Sequence, residues 1–358
     1  MDATISPRVM AKVNIVCRES NFGLAKCTQI VSELASQSGH TVSISSPKYD
    51  GNLKIYLENL YRLATLRQSV ELQKAEYDIN LFIEDIDPNY FPRAKRNYLI
   101  PNQEWFRYRW LPYLIGLDGL LTKTRFSQRI FSFLKCRTNF VGFTSEDRFE
   151  PCLRKDYNSF FHLAGNSPCK GTEAIVKLWL QHPEWPLLTI VQNRQKLGSL
   201  AAKNIRYHIG YIDDQQLKHY QNTFGIHLCQ SETEGFGHYI AEAMSCKALV
   251  TATNAPPMNE LVTPERGILV DYYGAKFQCL SKRYYVDLIA LERCINQVIT
   301  LASGQKQLLG EQARQWYLEN DNHFKNRFCE ALVNLGLPLK PTVLNQGKII
   351  KPEQPLIL

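Results

Sequence analysis

The 358-residue chain lacks the features that mark several classes of protein. No continuous run reaches the roughly 18 apolar residues of a membrane span. Its ten cysteines include no CxxC pair, and several lie in apolar runs, such as Cys17 in VNIVC and Cys229 in GIHLC. We expect buried thiols in a reducing compartment, without a disulfide or zinc framework. The N-terminus MDATISPRVM lacks the charged and then apolar pattern of a secretion signal, so we expect a cytoplasmic protein.

Concentrated charge is also missing. The net charge is +8, from 42 Lys and Arg against 34 Asp and Glu, and the excess is spread along the chain. A mildly basic protein can meet anionic ligands, nucleic acid or lipid headgroups, and this amount of charge does not choose among them.

What is present is a regular alternation of short apolar runs and amphipathic stretches. Runs such as KVNIVC and TVSIS are typical of strands, and helical patterns lie between them. This rhythm predicts parallel sheets covered on both faces by helices. It is broken by the polar stretch TSEDRFEPCLRKDYNS and then restarts. We therefore predict two Rossmann-like domains, residues 1–150 and 151–336, followed by an extended proline-rich tail at 337–358.

The strongest single motif is SETEGFGHYIAEAM, which begins at Ser231. It follows an apolar strand, makes a tight turn through Gly235 and Gly237, and then begins a helix. Free amides and the positive dipole end at a helix start favour a diphosphate. Glu234 and Glu242 lie up to ~12 Å apart along this element, because a helix rises about 1.5 Å per residue. The pair could hold a hydroxylated ring at each end of a diphosphate. The alternative from spacing alone is an ordinary strand-turn-helix unit with a capping carboxylate.

This segment, continued through CKALVTATNAPPMNELV and RGILV, resembles the donor-site region of family-4 retaining glycosyltransferases of the GT-B fold. The E-x7-E spacing, the GFG turn, Glu260 and Gly267 match. The resemblance extends upstream through HLAGNSPCKGTEAI and NIRYHIGYIDDQQLKHY, so it covers most of residues 159–270. In the N-terminal half it is limited mainly to NFGL and the following helix. It implies an α/β architecture of two Rossmann-like domains facing across a cleft, with the acceptor on the first domain and the donor on the second.

The resemblance also implies roles for individual residues. Glu234 would contact the hydroxyls of the donor sugar, Glu242 would hold the ribose, and Lys170 would neutralise the diphosphate as it leaves. The remaining implied donor-binding residues are the turn and its neighbours Gly235, Phe236, Gly237 and His238, the nucleobase border Tyr211 and Ile212, the N-terminal turn at Gly23, and Asn166.

Two positions depart from the pattern of the family. Asn166 stands where an Arg is usual, which removes one positive charge at the leaving group. Lys247 stands where a Gly usually serves a left-handed helix cap, so we expect the helix to end differently.

Two further stretches carry candidate chemistry. Asp85 and Asp87 form a DxD motif after a strand, which could bind Mg²⁺ or Mn²⁺, although a polar loop before Pro88 is favoured. IPNQEWFRYRW follows another strand, and Glu104 within it is the best local candidate for a catalytic base. Its aromatic and basic residues could stack an acceptor sugar, meet a membrane surface or bind single-stranded nucleic acid. Helix packing accounts for at least half of them.

We predict transfer of a sugar from a nucleoside-diphosphate sugar to a hydroxyl acceptor, with retention and without a metal or other cofactor. The co-substrate would be of the UDP or GDP type. The acceptor would be a glycan, a lipid-linked saccharide or another hydroxyl compound. Peripheral contact with the inner face of a membrane is left open. There are two competing hypotheses. One is a nucleotide-sugar 2-epimerase, and the other is a protein of the same fold that binds or modifies nucleic acid.

Overall fold

The computed structural model describes residues 10–18, 22–47, 75–193 and 202–336. They form two six-stranded parallel sheets with helices on their faces, which confirms the predicted α/β architecture of two domains. The predicted tail at 337–358 lies outside the described residues.

The first sheet has the strand order β2-β1-β3-β4-β5-β6, and every pairing is parallel. Its apolar runs become buried central strands because helices or connecting segments cover both faces. Its strands are β1 (Lys12–Val16), β2 (Thr41–Ser45), β3 (Tyr77–Ile83), β4 (Ala94–Ile100), β5 (Gly119–Thr122) and β6 (Thr138–Phe140). Its helices are α1 (Phe22–Gln37), α2 (Arg125–Phe133) and 3-10 turns at Pro88–Arg93 and Tyr108–Gly116.

The second sheet has the order β12-β11-β10-β7-β8-β9 and is also parallel. Its strands are β7 (Asp156–Gly165), β8 (Leu188–Gln192), β9 (Ile205–Ile209), β10 (Phe224–Cys229), β11 (Leu249–Thr253) and β12 (Ile268–Val270). The helices between them are α3 (Thr172–Gln181), α4 (Asp214–Thr223), α5 (His238–Ser245) and α6 (Met258–Leu261).

An antiparallel hairpin follows the second sheet, and the apolar periodicity did not predict it. β13 (Tyr272–Gln278) pairs with β14 (Ser281–Val286). Its turn reaches the first domain, where the Leu280 amide donates to the Gln103 carbonyl at 3.1 Å and the Tyr108 hydroxyl donates to the Cys279 carbonyl at 2.6 Å. The hairpin therefore connects the second domain to the loop after β4.

The helical run predicted from about residue 285 is divided into α7 (Leu288–Thr300) and α8 (Ser303–Gly336). The long helix α8 packs against both domains. Its residues Phe324, Phe328 and Leu332 are buried in one cluster with residues of α1 and β1. Apolar burial of this kind contributes about 25 cal/mol per Å², so α8 fastens the end of the second domain to the first.

The carboxyl ends of the two parallel sheets face one another, which is where open α/β sheets bind ligands. The Gln103 side chain donates to the Glu234 carbonyl at 2.8 Å across this junction. Among the described residues, no helix has the length and apolarity needed to cross a membrane.

Candidate functional site

Glu234 lies in a group of polar side chains at the end of β10. Its Oε1 accepts hydrogen bonds from the Lys170 ammonium and from the Ser231 hydroxyl. Ser231 also bonds the Tyr239 hydroxyl at 2.7 Å, and Lys170 Nζ lies 3.8 Å from the centroid of the Tyr239 ring. The side chains of Lys170 and Glu234 are only 16% and 14% exposed. Two of the three predicted catalytic residues, Lys170 and Glu234, are therefore brought together as a mostly buried ion pair.

The turn that follows requires two glycines. Gly237 has φ of +105° and stands directly before α5, a backbone conformation that a side chain would strain. A Cβ on Gly235 would collide with Asn102 and come within 2.9 Å of Glu104 Oε1. Gly235 therefore permits the close approach of the two domains, and Gly237 turns the chain into the helix.

Glu242 is buried on the first two turns of α5, and both of its oxygens have partners. Oε1 accepts from the Lys26 ammonium at 2.5 Å, and Oε2 accepts from the Gln221 amide at 3.0 Å. Lys26 belongs to α1 of the first domain, so this ion pair crosses the cleft. Gln221 is held in turn by Arg148, whose Nε donates to its side-chain oxygen at 2.9 Å. The structure thus supplies Glu242 with a fixed orientation and a cation from the opposite domain.

His238 opens α5 and is half-buried. Its Nδ1 lies 2.6 Å from the Ser145 hydroxyl, and its Nε2 lies 3.2 Å from the Cys27 thiol. Desolvation of its ring, together with the positive charges of Lys123 and Lys26, lowers the pKa of His238 to about 3. The imidazole is therefore neutral near pH 7, and it presents no charge to a ligand.

A second group of polar side chains comes from the first domain. Lys123, at the end of β5, donates to Asn102 Oδ1 at 2.7 Å, and Asn102 donates to Glu84 Oε2 at 2.9 Å. Glu84 has φ of +67°, which is uncommon for a residue with a side chain. Backbone strain of this kind is often retained where a side chain must be held at a functional position.

Glu104 is buried beside this group, 3% exposed. Burial raises its pKa to about 8, and the negative charges of Glu84 and Glu234 add to the shift. Its Oε2 has no hydrogen-bond partner among the described residues. The carboxyl group is therefore mainly protonated at neutral pH, and its pKa lies close to the range that suits a general acid or base.

The other predicted donor-binding residues lie at the rim. Tyr211 is 75% exposed after β9, and Ile212 beside it is half-buried. Asn166 is exposed after β7. Gly23 lies in the first turn of α1, and a Cβ there would meet nothing within 4 Å. Among the described residues, the hydrogen bonds of the Glu234 side chain come from Lys170 and Ser231 and not from these four positions.

The acidic pair Asp85 and Asp87 has structural partners. Asp85 accepts from Arg18 at 2.6 Å, and Asp87 accepts from the Asn89 amide at 3.0 Å as the cap of the 3-10 turn. This favours the polar-loop interpretation. Among the residues that the structure describes, no three His, Cys, Asp or Glu side chains are grouped so as to hold a metal.

The expectation about Lys247 is wrong. Lys247 adopts φ of +59°, so α5 ends in the left-handed conformation although no glycine is present. Its carbonyl accepts from the Tyr157 hydroxyl at 2.9 Å, and its ammonium lies 5.2 Å from the Phe149 ring centroid. These contacts offset part of the backbone strain.

Three site residues were not identified from the sequence: Lys26, Glu84 and Gln103. Lys26 lies on an amphipathic helix, where a lysine is usually solvated. Glu84 and Gln103 follow β3 and β4. Their positions just after the carboxyl ends of parallel strands could have identified them as site residues.

Comparison with known proteins gives a partial sequence match and a fold. The sequence profile of the family described as glycosyl transferases group 1 matches residues 145–277. No curated protein matches the chain by sequence similarity. The structure superposes on solved structures of the GT-B fold, which identifies the fold of this chain as GT-B.

Three of these structures cover nearly the whole chain. A glycosyltransferase from Rickettsia africae ESF-5 has a TM-score of 0.70 at 15% identity, over 91% of this chain and 99% of that one. Sucrose-phosphate synthase from Thermosynechococcus elongatus has a TM-score of 0.67 at 14% identity, over 90% and 98%. HepE of Anabaena, solved in complex with UDP-glucose, has a TM-score of 0.63 at 16% identity, over 90% and 100%.

Proposed function

We propose that this protein transfers a sugar from a nucleoside-diphosphate sugar to a hydroxyl acceptor, with retention at the anomeric carbon. The observation that carries the proposal is the pair of Glu234 and Lys170 before the start of α5, with Glu242 buried further along that helix. The profile match over residues 145–277 covers these residues. Retention is proposed from the resemblance of the E-x7-E segment to retaining enzymes. A uridine nucleotide is the first donor to test, because HepE was solved with UDP-glucose.

The ion pair between Lys170 and Glu234 suggests how the donor would be received. An incoming diphosphate offers Lys170 a more highly charged partner than one carboxylate. Glu234 would then be free to accept hydrogen bonds from sugar hydroxyls. As the bond to the sugar breaks, negative charge grows on the diphosphate oxygens. Lys170 and the amides at the start of α5 would stabilise that charge where it develops.

Glu242 would accept hydrogen bonds from the two ribose hydroxyls. Its carboxylate is bonded to Lys26 and Gln221 in the structure, so ribose must share it with Lys26 or displace that ammonium. A displaced Lys26 would lie in the cleft and could face the diphosphate. Donor binding would then change the ion pairs between the domains, which links it to domain closure.

We propose that the chemistry proceeds without a metal. Asp85 and Asp87 are engaged by Arg18 and by a backbone amide, and the neutralising charge for the leaving group would come from Lys170. Glu104 would contact the acceptor, since its carboxyl group approaches the Gly235 turn from the first domain and its Oε2 has no partner among the described residues. With a pKa of about 8 it could exchange a proton with an acceptor hydroxyl near neutral pH.

The test is turnover of UDP-glucose and GDP-sugars by the wild-type chain, with the anomer of the product assigned by NMR. Glu234→Gln and Lys170→Ala should each reduce kcat by at least about 100-fold, because each removes charge stabilisation in the transition state. Arg293→Ala, on an exposed position of α7, is the matched charge control and should keep full activity.

Unchanged turnover in both Glu234→Gln and Lys170→Ala would refute the assignment. An inverted product would refute retention alone. Isomerisation of the sugar without any acceptor would favour the epimerase alternative.

A further inference from the structure

A cavity of about 720 Å³ opens between the domains beside the Gly235–Gly237 turn, which contributes Phe236 to its wall. Its walls come from the start of α2, the end of β6, α6 and α8. This volume lies within the range of small-ligand sites in proteins. Two residues connect it to the site already described: Phe236 belongs to the turn, and Lys123 donates to Asn102.

The cavity carries arginines without acidic partners. Arg125, Arg129 and Arg327 line it, and none makes an ion pair with a carboxylate of the described residues. Two of them lie over one aromatic ring: the guanidinium carbon of Arg125 is 3.8 Å, and that of Arg327 is 5.2 Å, from the Phe140 ring centroid. The ring keeps two cations near each other although they repel, and a guanidinium suits the geometry of phosphate.

The carboxylates of the cavity are directed elsewhere. Glu260 accepts the backbone amides of Arg125 and Phe126 at 2.8 and 2.7 Å, where α2 begins. Glu319 accepts from the Gln315 amide at 2.8 Å. The four Lys and Arg side chains that line the cavity outnumber its two carboxylates. An anion would therefore be attracted to it.

Trp316 supplies a surface for an organic group. Its indole is half-buried in the cavity wall, and the guanidinium carbon of Arg266 lies 4.8 Å from its ring centroid. An aromatic ring beside a cluster of cations suits a ligand with one apolar or sugar face and one phosphate.

We propose that this cavity binds the phosphate of a phosphorylated acceptor, with Arg129 and Arg327 as its main ligands. The proposal rests on the proposed glycosyl transfer, since it places the acceptor next to Phe236 and Lys123 and so near the donor sugar. It narrows the acceptor from any hydroxyl compound to a phosphate monoester, such as a sugar phosphate.

The first experiment measures binding without turnover. Inorganic phosphate and glucose 6-phosphate are titrated into the full chain by calorimetry at constant ionic strength. We expect saturable binding of both, weakened at least about tenfold in the Arg129→Ala/Arg327→Ala double variant, because two charge-assisted contacts to phosphate are lost. Arg293→Ala removes a distant exposed arginine and should bind as the wild type does.

Absence of saturable phosphate binding, or equal binding by the double variant and the wild type, would overturn the proposal. An equal loss in Arg293→Ala would do the same, because it would reveal general charge attraction. Thermal melting of each variant establishes that it is folded. Arg129 is exposed and Arg327 is only half-buried, so their removal should leave the fold intact.

A second experiment separates this cavity from the donor site. Saturating phosphate should leave the affinity for UDP-glucose unchanged, because the proposal places the two ligands at different positions. Mutual exclusion would place phosphate at Lys170 and would overturn the assignment to the cavity. If UDP-glucose and the other nucleotide sugars neither bind nor react, the proposed function is refuted. The phosphate titration of the double variant would still test the cavity independently.

Discussion

Glu104→Gln offers a test of the electrostatics at the junction of the domains. The Glu104 carboxyl has a pKa of about 8 in the folded protein, against an ordinary value of 4.5. Between these values the folded chain retains a proton that the unfolded chain has released. Stability must therefore fall as pH rises from about 4.5 to about 8. The shift of about 3.5 units corresponds to about 5 kcal/mol across the whole window.

Glutamine keeps the shape of the neutral acid and cannot ionise, so the variant should lose this dependence on pH. Its free energy of unfolding, relative to that of the wild type, should rise by about 2 kcal/mol between about pH 6.5 and 8. Other titrating groups, such as Lys155 with a pKa lowered to about 8 by burial, are present in both proteins and cancel in this difference. His162, His227 and His238 have pKa values lowered to about 4, 3 and 3 by burial, and they make the fold lose stability as pH falls below about 6.5.

The assay is urea unfolding of both proteins at several pH values, followed by tryptophan fluorescence. The comparison uses differences between variant and wild type, since a chain with two domains need not unfold in one step. A difference that stays constant from about pH 6.5 to 9 would show that Glu104 is not held neutral by its surroundings. The reasoning about burial and the proposed acceptor contact would both lose their support.

Two other substitutions test contacts that the structure makes visible. Glu260→Ala removes the carboxylate that accepts the amides of Arg125 and Phe126 across the cleft, and it should weaken domain closure by about 1–2 kcal/mol. We expect a larger radius of gyration for Glu260→Ala in X-ray scattering. The exposed control Glu265→Ala should keep the radius of the wild type. An unchanged radius in Glu260→Ala would contradict the role of Glu260 in domain closure. Lys247→Gly relieves a left-handed backbone and should stabilise the fold by up to about 1 kcal/mol, measured by urea unfolding; a destabilised variant would mean that the lysine contacts outweigh the strain.

Apolar patterning predicted the two sheets well. Runs such as TVSIS and YDINLFIED became β2 and β3 with boundaries within two residues of the prediction. TVSIS is rich in β-branched residues, and INLFI within the second run is almost entirely apolar. The hairpin β13–β14 was missed because Tyr272–Val286 shows no regular alternation of apolar and polar residues, and most of β13 is exposed. Its stability depends on contacts with the first domain, which local pattern does not encode.

In the site, as in the fold, local features were predictable from the sequence and contacts between the domains were not. Glu234 and Glu242 were identified because their spacing within one strand-turn-helix unit is a local property. Lys26 was missed because its partner is 216 positions away in the chain, and nothing in the sequence of α1 distinguishes it from a solvated lysine. The raised pKa of Glu104 likewise arises from burial between domains, which only the assembled fold creates. Contacts across the cleft are therefore the part of the site that the sequence could not supply.

The most direct test of the central claim is a calorimetric titration of UDP and UDP-glucose into the wild type and Glu242→Gln. Glutamine preserves the packing around the buried side chain and removes the charge that ribose hydroxyls would meet. The account predicts that the wild type binds and that Glu242→Gln binds at least about tenfold more weakly. Equal affinity in the two proteins would contradict the claim that a nucleotide sugar lies along the first turns of α5.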